Sequence, residues 1–392
     1  MHIPAGFQLT FAPSKLLCRP DALGALADEV RALGAQRLML ISGTRTAQGQ
    51  AVAATRAALG DAVAHVWTGV PQHSGVSDVT AMALKAKELG IDGFVAVGGG
   101  SASDSAKGAA ILLAEGGTLV DHANVFYPPD RYIQKVLTKP KLPIIAVPTT
   151  LSAAEVTPGL GIRDEHGHKL VFWDPGVVPR LIVLDAQATL DVPASLFAST
   201  GMNALAHCIE GMYSRVRNPI SEGLALQGIR YLRQGLPRVV ADPSDVAARE
   251  EALVGAYLSG LVISNARVGI HHGICHGLGS LGGLSHGAAN SVMLPHAMRF
   301  NREVATAQLA LAAQALGVEL GGKTPLEAAD AAIAAVQTLQ RQIGVPRGLG
   351  EAGLDRALLP ALARGAMSDR GLYFNPRLAS EPEVRELLEA AW

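Results

Sequence analysis

Phe94-Val95-Ala96-Val97-Gly98-Gly99-Gly100-Ser101 runs from an apolar stretch straight into three glycines, and a helical pattern follows from about Ala102. Glycine lets the backbone adopt positive φ and approach a ligand closely. A helix beginning just beyond it offers unsatisfied N–H groups and the positive end of its dipole to a phosphate. Ser101 is placed to cap that helix. Asp104 falls in its first turn, where it complements the dipole or contacts the ligand. The same pattern also occurs as a plain tight turn. It is not G-x-G-x-x-G, so the standard dinucleotide fingerprint does not apply in detail.

Working outward, Arg37 to Ser42, Leu142 to Val147 and Leu181 to Leu184 are further short apolar runs. Helical patterns such as Ala22 to Leu33 and Val79 to Leu89 precede the first two strands of the series. Buried runs bounded by glycine and proline, with helices between them, predict a parallel sheet with crossover helices. After about Asp185 the strands stop. Pro219 to Gln234, Ala247 to Asn265, Val304 to Leu316 and Pro325 to Ile343 carry helical patterns rich in Ala, Leu, Glu and Arg. The expectation is an α/β, Rossmann-like dinucleotide-binding domain over residues 1–187 and an all-helical catalytic domain over residues 188–392.

Composition narrows the function. The chain has 392 residues, more than one core usually serves. Hydrophobic residues make up 49% and charged residues 17%, which fits a well-buried globular protein. Lys and Arg number 33 against 34 Asp and Glu, so no basic stripe is expected to hold nucleic acid. Cys18, Cys208 and Cys275 are odd in number and widely spaced, which argues against a disulfide framework and for a reducing compartment. The first twenty residues or so lack a charged-then-apolar signal pattern. No run approaches the ~18 apolar residues of a membrane span. A cytoplasmic protein acting on a small molecule is the expectation.

The helical half holds the chemistry. Asn203 and His207 are four residues apart and share one helix face, as do His272 and His276. His286 follows in Leu284-Ser285-His286-Gly287. A lone histidine is usually a capped or surface residue. Several converging in an apolar helical domain are costly unless they bind something. Two readings stand: a metal site of imidazole and carboxamide ligands, or a metal-free proton-transfer site.

These motifs carry a family likeness. Gly98-Gly99-Gly100-Ser101-Ala102-Ser103-Asp104-Ser105-Ala106-Lys107 resembles the glycine loop of the iron-containing (group III) alcohol dehydrogenases. Pro148-Thr149-Thr150 through Glu155 is similar to their segment near the cofactor, and Lys169 to the lysine beside its ribose. Gly201 to Glu210 resembles their helix with aspartate, histidine and glutamate. His272, His276 and His286 match their remaining histidines in spacing, and Asn375-Pro376-Arg377 a segment near their end. The resemblance implies an NAD(P)-dependent oxidoreductase, a homodimer in solution, and a cofactor bound by Gly98, Gly99, Gly100, Ser101, Asp104, Thr149, Thr150 and Lys169. It implies Fe2+ or Zn2+ ligands at Asn203, His207, His272 and His286, with His276 a non-ligand beside the substrate and proton donor. His272 and His286 would share in catalysis.

One departure is informative. Asn203 stands where the family normally has aspartate, which places metal occupancy in question. Ser199 to His207, His271 to His276, Gln72-His73-Ser74 and the end, Leu387 to Trp392, resemble the maleylacetate reductase branch, which is thought to work without tightly bound metal. That likeness implies reduction of maleylacetate to 3-oxoadipate in aromatic compound catabolism. The alternative is a metal-dependent alcohol dehydrogenase or aldehyde reductase. Gly273 replaces a basic residue usual in the reductase branch, and Ser285 to Asn290 looks more like the alcohol dehydrogenases. A dicarboxylate would want a cation. Arg267, one helical turn before His271, is a candidate, or else an exposed, solvated arginine. After the first strand, Ser42-Gly43-Thr44-Arg45 lacks the carboxylate that would exclude a 2′-phosphate, so NADPH is expected alongside NADH. A sugar-phosphate cyclase resembling dehydroquinate synthase would want more cations than Arg267 and Arg299. A non-catalytic NADH-binding protein would not need His276.

Overall fold

The computed structural model describes residues 7, 9, 11–72, 74–127 and 131–392. His73, in the middle of Gln72-His73-Ser74, lies outside them. The chain divides into two compact units. One comprises the described residues of 10–125 and 133–192; the other is built on Pro193–Trp392, with Phe126, Tyr127, Arg131 and Tyr132 among its members.

The first unit is a parallel sheet of six strands. From edge to edge they are Lys15–Cys18, Leu181–Leu184, Ile144–Pro148, Gly93–Gly98, Leu38–Gly43 and Val63–Val70. Side chains alternate faces along each strand. Met39, Ile41, Phe94 and Ala96 enter one core, which the helices Val76–Glu88 and Gly100–Glu115 complete. Leu38, Leu40, Val95, Val97, Ile145 and Val147 enter the other, against Leu26–Ala32 and Gln50–Leu59. Burial on both faces explains why the central strands are continuous apolar runs. The expected strands Leu142 to Val147 and Arg37 to Ser42 are each shifted by a residue or two from those observed.

From Leu38–Gly43 the chain moves outward to Val63–Val70. It returns on the other side at Gly93–Gly98 and continues away from there. Strand order therefore reverses between Leu38–Gly43 and Gly93–Gly98. Ligands of such sheets bind outside the carboxyl ends of the strands at that reversal. The three glycines begin there.

The helix after them starts at Gly100, with Gly99 as its N-cap and no side-chain cap. This corrects two expectations. Ser101 is inside the helix and does not cap it, and Asp104 lies in the second turn, beyond the reach of the first-turn dipole effect. The cause is the same: the turn is completed by the glycines themselves, two residues earlier than the serine.

The second unit is helical. Its principal elements include Ala194–Tyr213, Pro219–Ala241, Val246–Ala266, Ile270–Ser280, His286–Asn301, Thr306–Ala315 and Pro325–Ile343. Among the described residues no single helix is long and apolar enough to cross a membrane. Asn218 starts Pro219–Ala241 by accepting the Ile220 and Ser221 amides at 3.1 and 3.0 Å, with Pro219 in the first turn. That helix packs closely on Val246–Ala266 at Gly235, where a Cβ would lie 2.8 Å from the Ala248 carbonyl oxygen. Because the obstacle is backbone, Gly235→Ala must push the two helices apart. It is expected to cost about 1–3 kcal/mol and lower the melting temperature by several degrees in circular dichroism. An unchanged melt would mean the helices have room to spare.

Candidate active site

In the first unit the glycine loop is shaped by its neighbours. Gly98 has φ +146°, a region that favours glycine. A Cβ on Gly99 would lie 2.9 Å from Thr150 Oγ1. The Thr149 amide donates to the Gly98 carbonyl at 2.9 Å. Thr149 and Thr150 are thus brought against the loop, as are Gly98, Gly99 and Gly100. A Cβ on Gly98 would lie 3.8 Å from Thr46, so the turn carrying the exposed Arg45 is also adjacent.

Two turns into the helix, Lys107 is fully buried. Its ammonium donates to the carbonyls of Ala154, Thr157 and Gly159 at 2.6, 2.6 and 3.1 Å. It therefore ties the 154–159 segment to the glycine-loop helix. Burial pulls its pKa down to about 8, with Asp104 and Glu155 opposing. Asp104, half-buried, accepts the Gly161 amide at 3.1 Å, and burial raises its pKa against the pull of Lys107. Lys169 is exposed on Lys169–Trp173, and its side chain covers Gly161 on the paired strand Gly159–Arg163. Asp104 and Lys169 are therefore neighbours. Lys107 stands in the quoted motif yet had no role assigned from sequence.

In the second unit, three helices bring the histidines together. Asn203, His207 and Glu210 are buried on Ala194–Tyr213. His271, His272 and His276 lie on Ile270–Ser280, and His286 opens His286–Asn301. Gly287 allows the last approach, since a Cβ there would lie 2.8 Å from Ser199 Cβ. The His207 and His272 rings stack with centroids 4.8 Å apart. His272 and His286 centroids are 5.8 Å apart, and those of His276 and His286 6.2 Å.

Glu210 organises this cluster. Its Oε1 accepts the amides of Gly269 and His271 at 2.9 and 3.0 Å. Its Oε2 pairs with His272 Nδ1 and lies 3.5 Å from His271 Nδ1. Burial opposes its charge, but the His272 and His271 contacts outweigh that and hold its pKa well below the usual range. Burial in turn brings the His272 ring down to about 4 and His207 well below its ordinary value. Both rings are neutral near pH ~7. With Nδ1–H donated to Glu210, His272 turns the lone pair of Nε2 toward Asn203 Oδ1, 3.2 Å away. Two acceptors face each other unless the amide is reversed or a cation joins them. Two ligands of a tetrahedral ion lie roughly 3.3 Å apart. Neutral imidazoles and a carboxamide oxygen at this spacing fit a divalent ion, though without a negative ligand.

Glu210, His271 and His272 are also close enough together to hold an ion. Their facing atoms, however, already bond to one another and to two amides, so this is the support beneath the site rather than its open side.

His276 is oriented from elsewhere. Its Nδ1 lies 2.7 Å from Asp369 Oδ2, and Asp369 Oδ1 accepts the Gly371 amide at 2.7 Å. Burial works against the Asp369 charge, while the His276 ring and that amide lower its pKa. No motif pointed to Asp369. A Cβ on Gly273 would lie 2.7 Å from Leu372 Cδ1, so this glycine lets the 369–372 segment close on the histidine helix. Asn375 braces the same helix: it pairs reciprocally with Asn301 at 2.9 Å in both directions and accepts the Ile270 amide at 3.4 Å. Arg267 is not a turn before His271 in one helix, as expected. It terminates Val246–Ala266, outside the histidine helix, and is half-buried rather than solvated.

Residues 13–186 match the family described as iron-containing alcohol dehydrogenase, and residues 197–392 match its C-terminal family. The lactaldehyde reductase of Escherichia coli is 33% identical, over 95% of this chain and 96% of its own. The maleylacetate reductase of Sphingobium indicum is 31% identical, over 97% and 95%. A solved 1,3-propanediol oxidoreductase superposes with a TM-score of 0.92 at 30% identity, covering 99% of this chain and all of that one.

The buried Glu155 gives a test of the first unit. Burial pushes its carboxyl up to about 7. The folded protein then keeps a proton that the unfolded chain releases near pH ~4.3. The stability so gained is complete below that pH and is lost as pH rises through about 7. Glu155→Gln cannot ionise. In urea unfolding it is expected to gain on the parent between about pH 4 and 8, by up to roughly 3 kcal/mol. A constant difference across that range would place the ionised carboxylate in the folded state.

Proposed function

Because the chain belongs to the iron-containing alcohol dehydrogenase family, and is therefore an oxidoreductase, we propose that it is a maleylacetate reductase: it reduces maleylacetate to 3-oxoadipate with NADPH or NADH. The observation that carries this reading is Asn203. It places a neutral carboxamide against His272 where a tightly held hard ion would want a carboxylate. We place the division of labour near residue 187, with cofactor binding before it and the reacting residues after it.

Gly98, Gly99, Gly100 and Ser101 would hold the pyrophosphate at an uncapped helix start. Asp104, Thr149, Thr150 and Lys169 would complete the cofactor site. Lys107 acts on it indirectly, by fixing the 154–159 segment against the loop helix. Arg45 is exposed beside the loop and suits a 2′-phosphate. When bound, the reduced nicotinamide supplies a hydride to the alkene carbon conjugated to the substrate ketone.

Negative charge then develops on the ketone oxygen. His207 and His286 would meet it with ring N–H donors, whereas His272, whose Nε2 carries a lone pair, would serve it only through a bound ion. Asn203, His207, His272 and His286 would also hold a divalent ion, which would act as a Lewis acid on that oxygen. His276 donates the proton that completes the reduction. Asp369 on Nδ1 fixes its ring and leaves Nε2 to face the substrate.

A second reading, an aldehyde or alcohol dehydrogenase that needs its metal, is favoured by the likeness to lactaldehyde reductase. Cofactor oxidation measured with maleylacetate and with small aldehydes, each with and without chelator, separates the two. Fast, chelator-insensitive reduction of maleylacetate is expected. Activity confined to aldehydes, lost with chelator and restored by iron or zinc, would establish the second reading. His276→Asn is expected to lower kcat by about 10²–10⁴-fold. NADPH and NADH are both expected to serve, and a strict preference for NADH of several hundredfold would contradict the role of Arg45.

A further inference from the structure

Ala153 is fully buried and holds a left-handed backbone, with φ +59° and ψ 12°. A residue with a Cβ enters that region only at a cost, and stays there when its surroundings fix it. Ala153 is the last residue before the short turn Ala154–Val156. Its place matters for the glycine loop. Thr150 Oγ1 lies 2.9 Å from where a Cβ on Gly99 would be. Ser152 Oγ and Ala154 Cβ, on either side of Ala153, each lie 3.5 Å from where a Cβ on Gly100 would be. Residues 150–154 therefore wall the turn at which the helix Gly100–Glu115 begins.

What fixes Ala153 lies just beyond it in the chain. The carbonyls of Ala154, Thr157 and Gly159 converge on the Lys107 ammonium at 2.6, 2.6 and 3.1 Å. An ammonium has three protons and no acceptor, so these contacts take up all of them. The Thr157 hydroxyl reaches two of the same carbonyls, Ala154 at 3.4 Å and Gly159 at 3.1 Å, but only Lys107 gathers all three. Lys107 stands on the very helix whose start the wall covers. Its ammonium therefore fixes the wall relative to that helix start.

We infer that Lys107 is a positioning residue for the cofactor: it holds Ala153 in its left-handed conformation and so keeps residues 150–154 closed on the glycine turn. The inference rests on the reading of Gly98 to Ser101 as the pyrophosphate site. Glycine adopts the left-handed region freely and would need no such restraint at this position. The task of Lys107 is thus conditional on the side chain at 153, a signature that general support of the fold lacks.

The test is a double-mutant cycle of Lys107→Met and Ala153→Gly. It is read by calorimetric titration with NADPH and with NADH, and by hydrogen exchange of the 150–159 amides without cofactor. With Ala153 in place, Lys107→Met is expected to weaken cofactor binding by about tenfold and to speed exchange across the segment. In the Ala153→Gly background the same substitution is expected to cost roughly threefold or less. If Lys107→Met does not fold, Lys107→Gln, whose amide keeps two donors, takes its place in the cycle. Equal losses in both backgrounds, or no loss in either, overturn the inference. A parent that binds neither cofactor, while exchange still depends on Lys107 only when Ala153 is present, would remove the pyrophosphate reading and leave the hold of Lys107 on Ala153 standing.

Discussion

The helical unit is organised around one buried carboxylate. Glu210 is enclosed, charged and supplied with donors from a single neighbouring helix: two amides at that helix's start and the ring of His272. A buried charge is tolerated only when it is paired and hydrogen-bonded this fully. The arrangement has a consequence for chemistry. Taking the proton-bearing Nδ1 of His272 leaves Nε2 to face Asn203. The tautomer and the ring plane are therefore set before any ligand arrives, as partners behind metal-binding and catalytic histidines commonly do.

The same logic appears with opposite sign in the sheet unit. There the buried charge is the Lys107 ammonium, and three carbonyls from one loop answer it. Glu210 and Lys107 are both taken up by these contacts, each fixing a neighbouring segment, and both were present in recognisable motifs without an evident task. The negative charge is spent on support, in Glu210 and Asp369. His207 and His272 are left neutral beside the carboxamide of Asn203. Under the proposed reading, that division of charge favours proton transfer by imidazole over tight binding of a hard cation.

Much of this was legible in the residues. The apolar strand, the three glycines and the following helix predicted the parallel sheet and its loop, and Pro325–Ile343 matched its expected bounds. Val63–Val70 escaped notice because an edge strand is only half covered and carries His65 and Thr68 among its apolar residues. Lys15–Cys18, at the other edge, is too short to show alternation. The cap at Ser101 was misplaced because glycine can complete a turn that otherwise needs a side chain. Asp369 was invisible since it meets His276 across 93 residues of chain, and no local pattern encodes such a pairing. The strain at Ala153 is likewise a backbone fact, which residue identity alone does not reveal.

The central claim is that charge at position 203 decides between metal-free and metal-dependent chemistry. Asn203→Asp tests it with the least disturbance, because the two side chains are nearly isosteric. The measurement is metal content per chain after purification, with and without chelator, for parent and variant. The account predicts a metal-poor parent and a variant that retains about one ion and becomes sensitive to chelator. A parent already carrying a full complement of metal, with the variant no different, would contradict it.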